Sequence, residues 1–520
     1  MFDYCNKLTG NPLKIAIRFV CVLSCFFSTN FACYANREPD LVGAKPNIIF
    51  ILTDDQGYGD LSAHGNPILK TVHLDKLRAE AFRFLDFHVS PTCAPTRSAL
   101  FTGRHEFKNG ITHTILERER LRLDAITLPQ ALQTAGYATG IFGKWHLGDE
   151  DAYLPNRRGF NEMFIHGAGG IGQSYPGSCG DVPGNSYFDP IILHNDKLVK
   201  TNGYCTDVFF DRATEWIKEQ AKEKKRFFAY IATNAPHAPY HAKESDAALY
   251  RDKVRNEDIV NFFGMIHNID ENVGRLRKQL KNLGIEGETL LVFMNDNGTA
   301  TGQSVFSAGM RGAKGTPWLG GTRANSLWCW PQVISTGESS KFVAHIDFFS
   351  TMADIAGVDM TKEMSSQTEG RSLVPILQGT EKEWPNRFLV THVGRWPKGA
   401  DPNDYKYSAV SVRDNKWALV NPVGKPLKKG EAPKWQLFDL AEDYQQSRDV
   451  AAQNPEVVQA MQDAIDRWWQ ECSPKLVNEQ ATGPKLNPFA VRYWNQFGGG
   501  PTDADYKRMD PSQGWPPPKK

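Results

Sequence analysis

The sequence predicts an α/β fold: a large, mainly parallel or mixed central sheet flanked by helices, followed by a smaller antiparallel sheet with one helix. Three observations carry this reading. NIIFILT (Asn47–Thr53) and TLLVFMN (Thr289–Asn295) are continuously apolar and end in acidic turn sequences, which suits strands covered on both faces. Helical periodicity alternates with further strand-like runs through the first 390 residues, the pattern of a mainly parallel sheet. Beyond that point the runs shorten to KWALVNP and KWQLFDL, ahead of the amphipathic stretch PEVVQAMQDAIDRWWQ.

At the N-terminus, Lys7, Lys14 and Arg18 precede the apolar run FVCVLSCFF and the small residue Ala35. This pattern predicts a cleaved signal peptide over 1–35 and a periplasmic or secreted protein. The apolar run is far short of the ~20 residues a membrane span needs, so no stable membrane insertion is expected. A large α/β domain is predicted over 36–390, with strands at 47–53, 138–142, 226–232 and 289–295. Its helices are expected at 75–81, 128–135, 207–222 and 260–283. A C-terminal subdomain follows over 391–474. Residues 475–520 are rich in Pro, Gly, Asn and Gln and predict an extended arm or disordered tail.

A chain of 520 residues can bury a large core without covalent staples. Its 60 Lys and Arg against 59 Asp and Glu leave no net field for nucleic acid or an anionic membrane, so anion recognition has to be local. Beyond the signal segment there are five cysteines: Cys93, Cys179, Cys205, Cys329 and Cys472. An odd number in an exported chain leaves one thiol to explain. Cys179 and Cys205 flank a loop-rich stretch and could pair, but spacing does not decide the pairing.

In parallel sheets ligands gather beyond the carboxyl ends of the strands, where both acidic turn sequences fall. Asp54, Asp55, Asp296 and Asn297 supply hard oxygen donors that select Ca²⁺ or Mg²⁺ over zinc. Each pair alone also reads as a turn. Asn297-Gly-Thr is the chain's one glycosylation sequon, and ligation by Asn297 would exclude a glycan there. Lys144 and His146 (FGKWHLG), His237 (NAPHAPY) and Lys314 (RGAKGTPW) sit in loops or at strand ends, where sites concentrate. Cations gathered round a divalent metal suit a small tetrahedral oxyanion and charge on its leaving oxygen. Cys93 and Arg97, in PTCAPTRSALFTGR, are separated by three residues rather than the five of a cysteine-dependent phosphate loop. A thiolate nucleophile would also be open to oxidation in an exported compartment.

CAPTR followed by SALFTGR resembles the Cys-x-Pro-x-Arg signature of the formylglycine-dependent type I sulfatases, whose fold is alkaline phosphatase-like. The resemblance runs through PNIIFILTDDQGYGD, AGYATGIFGKWHLG, APHAPY, IDENVGRL, NDNG, RGAKG with GGTR, VAHIDFFSTMADIAG and WQLFDL. It implies a sulfuric ester hydrolase in which Cys93 is oxidised to formylglycine before folding, by a formylglycine-generating or sulfatase-maturating enzyme. It further implies one Ca²⁺ per chain, held by Asp54, Asp55, Asp296, Asn297 and the modified Cys93. Arg97 would neutralise formylglycine and sulfate oxygens, while Lys144, His237 and Lys314 would bind the sulfate. His146 would orient the formylglycine, and His237 or Lys314 would protonate the leaving group.

The chain departs from the family pattern at Thr96, Leu319, Asn325 and Tyr444, where Ser or Ala, Glu, Pro and Pro are usual. Leu319 bears on local loop geometry and leaving-group contacts rather than on sulfate binding. The glycine-rich, aromatic stretch 167–189, with Trp318, Arg395 and Trp396, is placed to rim the pocket and contact a sulfated sugar, unless the aromatics are packing. The expected substrate is a sulfated polysaccharide or oligosaccharide. Small aryl sulfates, phosphate or phosphonate esters, and a silent glycan-binding protein are the alternatives.

Overall fold

The structure, a computed structural model, describes residues 40–510 apart from Lys429; the predicted signal segment and residues 511–520 lie outside the described residues. Among the described residues, ten strands form one mixed sheet. Its centre is five mutually parallel strands in the order Thr289–Asn295, Asn47–Thr53, Phe227–Ala232, Ala138–Lys144 and Glu162–His166. Shorter strands extend it on both sides, with antiparallel pairs at Ser326–Cys329 and at Ile191–His194 with Lys197–Lys200.

Side-chain alternation explains why the central positions of these runs are apolar on both faces. Ile48, Phe50 and Leu52 enter one core and Ile49 and Ile51 the other; Leu290, Val292 and Met294 divide from Leu291 and Phe293 in the same way. Helices cover both faces. Cys93–Thr102, Leu128–Thr134 and Asp347–Ala356 supply the first core, and Val72–Glu80, Cys205–Lys222 and Glu257–Asn282 the second. Local signals fix several ends. Thr127 and Gln130 form a capping box, the Asn256 side chain accepts from Asp258 N and Ile259 N, and Gly103 ends the Cys93 helix with φ 69°.

A four-stranded antiparallel sheet follows, from Leu389–His392 through Val410–Arg413 and Trp417–Asn421 to Gln436–Asp439. The helix Pro455–Cys472 covers it with Met461, Ile465, Trp468 and Trp469, and Phe107, shortly after the Cys93 helix, enters the same core. The C-terminal layer therefore buttresses the segment that leads out of the Cys93 helix. Within 475–510 the chain is not uniformly extended: Pro488–Phe497 and Asp503–Arg508 are helices. Pro488 opens the first of these, where its missing N–H costs nothing, and Phe489 joins the main core.

The five cysteines beyond the signal segment are all free and buried. Cys179 packs with Ile115 and Ala168, while Cys205 opens a helix in the core beneath the main sheet, so the pairing of the two does not occur. Among the described residues no helix is long and apolar enough to cross a membrane.

Candidate active site

Four of the five central strands deliver polar residues to the same sheet edge. Asp54 and Asp55 follow Thr53, and Asp296 and Asn297 follow Asn295, its register partner in the neighbouring strand. Lys144 ends its strand, with His146 two residues on, and His237 lies in the loop after Ala232. The Cys93 helix brings its N-terminus to this edge, and all ten of its residues are buried.

Three carboxylates meet three cations here. Arg97 Nη2 donates to Asp296 Oδ2 at 2.7 Å, Lys144 Nζ to Asp54 Oδ2, and Lys314 Nζ to Asp55 Oδ2 at 2.6 Å. Cys93 Sγ lies 3.2 Å from Asp54 Oδ1 and 3.9 Å from Asp55 Oδ1, and His237 Nε2 lies 3.7 Å from Asp55 Oδ2. Asn297 Nδ2 donates to Asp55 Oδ1 at 3.0 Å. Asn297 is fully buried, which rules out a glycan on its sequon. His146 Nε2 meets Thr114 O at 2.7 Å. Asp55 and His146 both hold left-handed backbone, φ 70° and 60°, conformations that persist only where surrounding contacts impose them.

The electrostatics follow from this crowding. Burial alone would raise Asp55, yet Lys314, His237 and Lys144 hold it well below the usual carboxylate range. Burial and the Asp54 carboxylate push Asp296 up to about 6. Burial, with Asp54, pushes the Cys93 thiol far up. Burial and Lys314 bring His237 down to about 3, and burial and Lys144 hold His146 well below its usual value. Burial opposes charge on Lys314, but Asp55 outweighs it and keeps the ammonium protonated.

The residues fit a divalent cation. Asn297 Oδ1 is buried without a partner and belongs to the acidic cluster, and ligand atoms of Asp54, Asp55, Cys93 and His237 all lie within 4.8 Å of one another. The carboxylate and amide oxygens are hard donors of the kind that hold Ca²⁺ or Mg²⁺.

A profile of the sulfatase family matches residues 46–358, and one of the N-sulphoglucosamine sulphohydrolase C-terminal region matches 321–471. The chain belongs to the sulfatase family. Arylsulfatase A of Bos taurus is 31% identical over 463 residues, covering 80% of this chain and 86% of that protein. N-acetylgalactosamine-6-sulfatase of Sus scrofa is 32% identical over 394 residues, covering 68% and 71%. Among solved structures, Ps i-CgsB in complex with k-i-k-neocarrahexaose is 27% identical with a TM-score of 0.71, covering 89% of this chain and 100% of that one. The sulfatase is thus a sulfuric ester hydrolase with the fold that its sequence predicted.

The stretch 167–189 does overhang the site of this sulfatase. A Cβ built on Gly169 would sit 2.4 Å from the His146 ring, so only glycine allows this approach. Gln173 Nε2 donates to Ala238 O at 3.0 Å, and the Tyr187 hydroxyl to His237 O at 2.5 Å. Trp318 and Trp396, in contrast, are buried. Arg311 covers the Trp318 ring at 3.8 Å, and Trp396 Nε1 donates to Glu479 with Arg118 stacked at 4.7 Å. Both are packing residues, and of the three rim candidates outside the insertion only Arg395 is exposed.

Sequence reasoning missed Tyr230, whose hydroxyl accepts from Arg97 Nη1 at 3.0 Å; the signal was a tyrosine in a wholly buried strand, which needs a polar partner. It also missed the acids beneath the overhang. Asp149 accepts from Ala168 N and Gly180 N, and Asp181 from Gly167 N and Gly172 N. Glu119, nearby, is buried with Oε2 unpartnered. Burial, reinforced by Glu117, pushes it up to about 8 from 4.5.

Between pH 4.5 and 8 the folded chain thus keeps a proton on Glu119 that the unfolded chain has lost. Stability falls as pH rises through that window and levels off above it. Glu119→Gln should match wild type near pH 4.5 and exceed it at pH 8 by on the order of 3 kcal/mol. Thermal unfolding at both pH values checks this, and parallel curves would show that Glu119 is ionised in the fold.

Proposed function

We propose that this sulfatase hydrolyses sulfate esters of a sulfated polysaccharide or oligosaccharide, using formylglycine formed from Cys93 and one Ca²⁺ held by Asp54, Asp55, Asp296, Asn297 and residue 93. The observation that carries the reading is the placement of Cys93 Sγ, at a helix N-terminus, between Asp54 and Asp55. Hydrated formylglycine would supply two hydroxyls on one carbon, one to attack sulfur and one to release sulfate by re-forming the aldehyde. The cation would supply Lewis-acid polarisation.

Burial supports a division of the remaining roles. Arg97 and Lys144 are fully buried and hold the floor of the pocket, where sulfate and formylglycine oxygens would lie. Lys314 and His237 keep 18% and 15% of their side chains exposed, so they stand at the mouth, where the substrate alcohol has to leave. One of them supplies its proton. His146, fixed by Thr114 O and capped by Gly169, orients residue 93. The saccharide reading is supported by two relatives: one named for N-acetylgalactosamine 6-sulfate chemistry and one solved with an oligosaccharide bound.

Peptide mass spectrometry of residue 93 in active enzyme, with sulfate release measured on a sulfated-oligosaccharide panel before and after chelation, tests the proposal. Formylglycine and chelator-sensitive turnover are expected; an unmodified thiol in active enzyme would overturn it. Phosphate diester turnover exceeding sulfate release on the same preparation would favour a phosphoester hydrolase. Lys314→Ala and His237→Ala should each lower kcat by about 10²–10³-fold; Lys314→Ala also strips the buried Asp55 carboxylate of its 2.6 Å partner and should lower Tm, whereas His237→Ala, 3.7 Å from it, should change Tm little. Wild-type kcat in either variant would remove that residue from the reaction.

A further inference from the structure

We propose that the groove beside the active site is a second anion subsite, in which Arg395 and Lys425 bind a sulfate other than the one being cleaved. The proposal rests on the sulfated-saccharide reading above and narrows it to substrates carrying at least two sulfates.

The groove has a volume of about 480 Å³, within the range of small-ligand sites. Gly315, Thr316, Trp318, Arg395, Tyr405 and Lys425 line it, and among the described residues Arg395 and Lys425 are its charged lining residues. It opens one residue beyond Lys314. Gly315 N donates to Pro91 O at 2.8 Å, two residues before Cys93, and a Cβ built on Gly315 would lie 3.9 Å from the Arg395 guanidinium. The groove is therefore continuous with the pocket mouth, where the alcohol part of the substrate would emerge.

Arg395 is held in place. It sits in left-handed backbone at φ 62°, its N–H donates to Thr112 O at 3.0 Å, and Nη2 donates to Thr114 Oγ1 at 3.2 Å. The same Thr114 supplies the carbonyl that fixes His146, so one loop positions both residues. Among the described residues neither Arg395 nor Lys425 forms an ion pair. Glu117, an acid of that loop, is buried and faces Lys398 at 3.5 Å. Two cations in a concave surface without carboxylate partners set up a local positive potential in a chain with no net field. The guanidinium fork matches the oxygens of a tetrahedral oxyanion, and lysine adds a point charge.

The test compares wild type with Arg395→Ala/Lys425→Ala on a monosulfated and a disulfated disaccharide of the same backbone, and on 4-nitrophenyl sulfate. The double variant should lose at least tenfold more kcat/KM on the disulfated than on the monosulfated disaccharide. Calorimetry of the disulfated disaccharide with Cys93→Ala should weaken by at least tenfold when both cations are removed, and less so at high salt. Equal losses on the two disaccharides, or no loss, would overturn the subsite while leaving the sulfatase reading intact. Failure of wild type on all three substrates would overturn that reading and this inference with it.

Discussion

Replacing Cys93 with alanine is expected to reduce sulfate release by on the order of 10⁶-fold, the scale of losing a covalent nucleophile. The fold should survive. Alanine removes one sulfur whose polar contacts are Asp54 and Asp55, so stability should stay within about 1 kcal/mol of wild type. Cys93→Ser is the sharper variant. Its single hydroxyl can attack sulfur but has no second hydroxyl to drive release, so a burst of up to one equivalent of alcohol should precede arrest. Sustained turnover in either variant would exclude residue 93 as the nucleophile, and stopped assays with denaturation curves read both quantities.

Arg97→Ala should instead damage fold and function together. Arg97 is fully buried, pairs with Asp296 at 2.7 Å, and donates to Tyr230 and to Lys144 O. Removing it strands a buried carboxylate, which costs about 3–5 kcal/mol. Arg97→Ala/Asp296→Asn should recover a large part of that loss, because the stranded charge is gone, while remaining inactive. If urea denaturation places Arg97→Ala level with wild type, the pair is not what holds this edge of the sheet. The contrast with His237→Ala separates residues that build the pocket from residues that stand at its mouth.

The strands that form the site were readable because their chemistry is extreme. Asn47–Thr53 and Thr289–Asn295 are buried on both faces, so their five central positions are apolar and the ends are marked by the first acids. The outer strands Phe82–Phe84, Gly337–Ser339 and Lys197–Lys200 are three or four residues long, and so short a run has no period to detect. Proximity within the site was readable in part. Residues at the carboxyl ends of parallel strands have to converge, whereas the approach of Lys314 to Asp55 depends on a close backbone crossing. A Cβ built on Gly298 would lie 2.0 Å from Gly320 O, a contact that no spacing announces. Trp318 and Trp396 were ambiguous for a related reason: composition cannot tell a stacking ring from a packed one, and Arg311 and Arg118 cover them.

If Cys93 is modified as proposed, the complete burial of its helix would turn maturation into a race. Under the proposed chemistry an enzyme can reach the thiol only while the chain is still open, so folding and oxidation compete for each newly made molecule. A chain that folds first keeps its sulfhydryl, and global unfolding is its way back. Specific activity would then record the ratio of two rates during biogenesis, and purified material would be a mixture of live and dead enzyme with nearly the same Tm. Slowing folding during expression should enrich the live fraction, which titration of active sites would show.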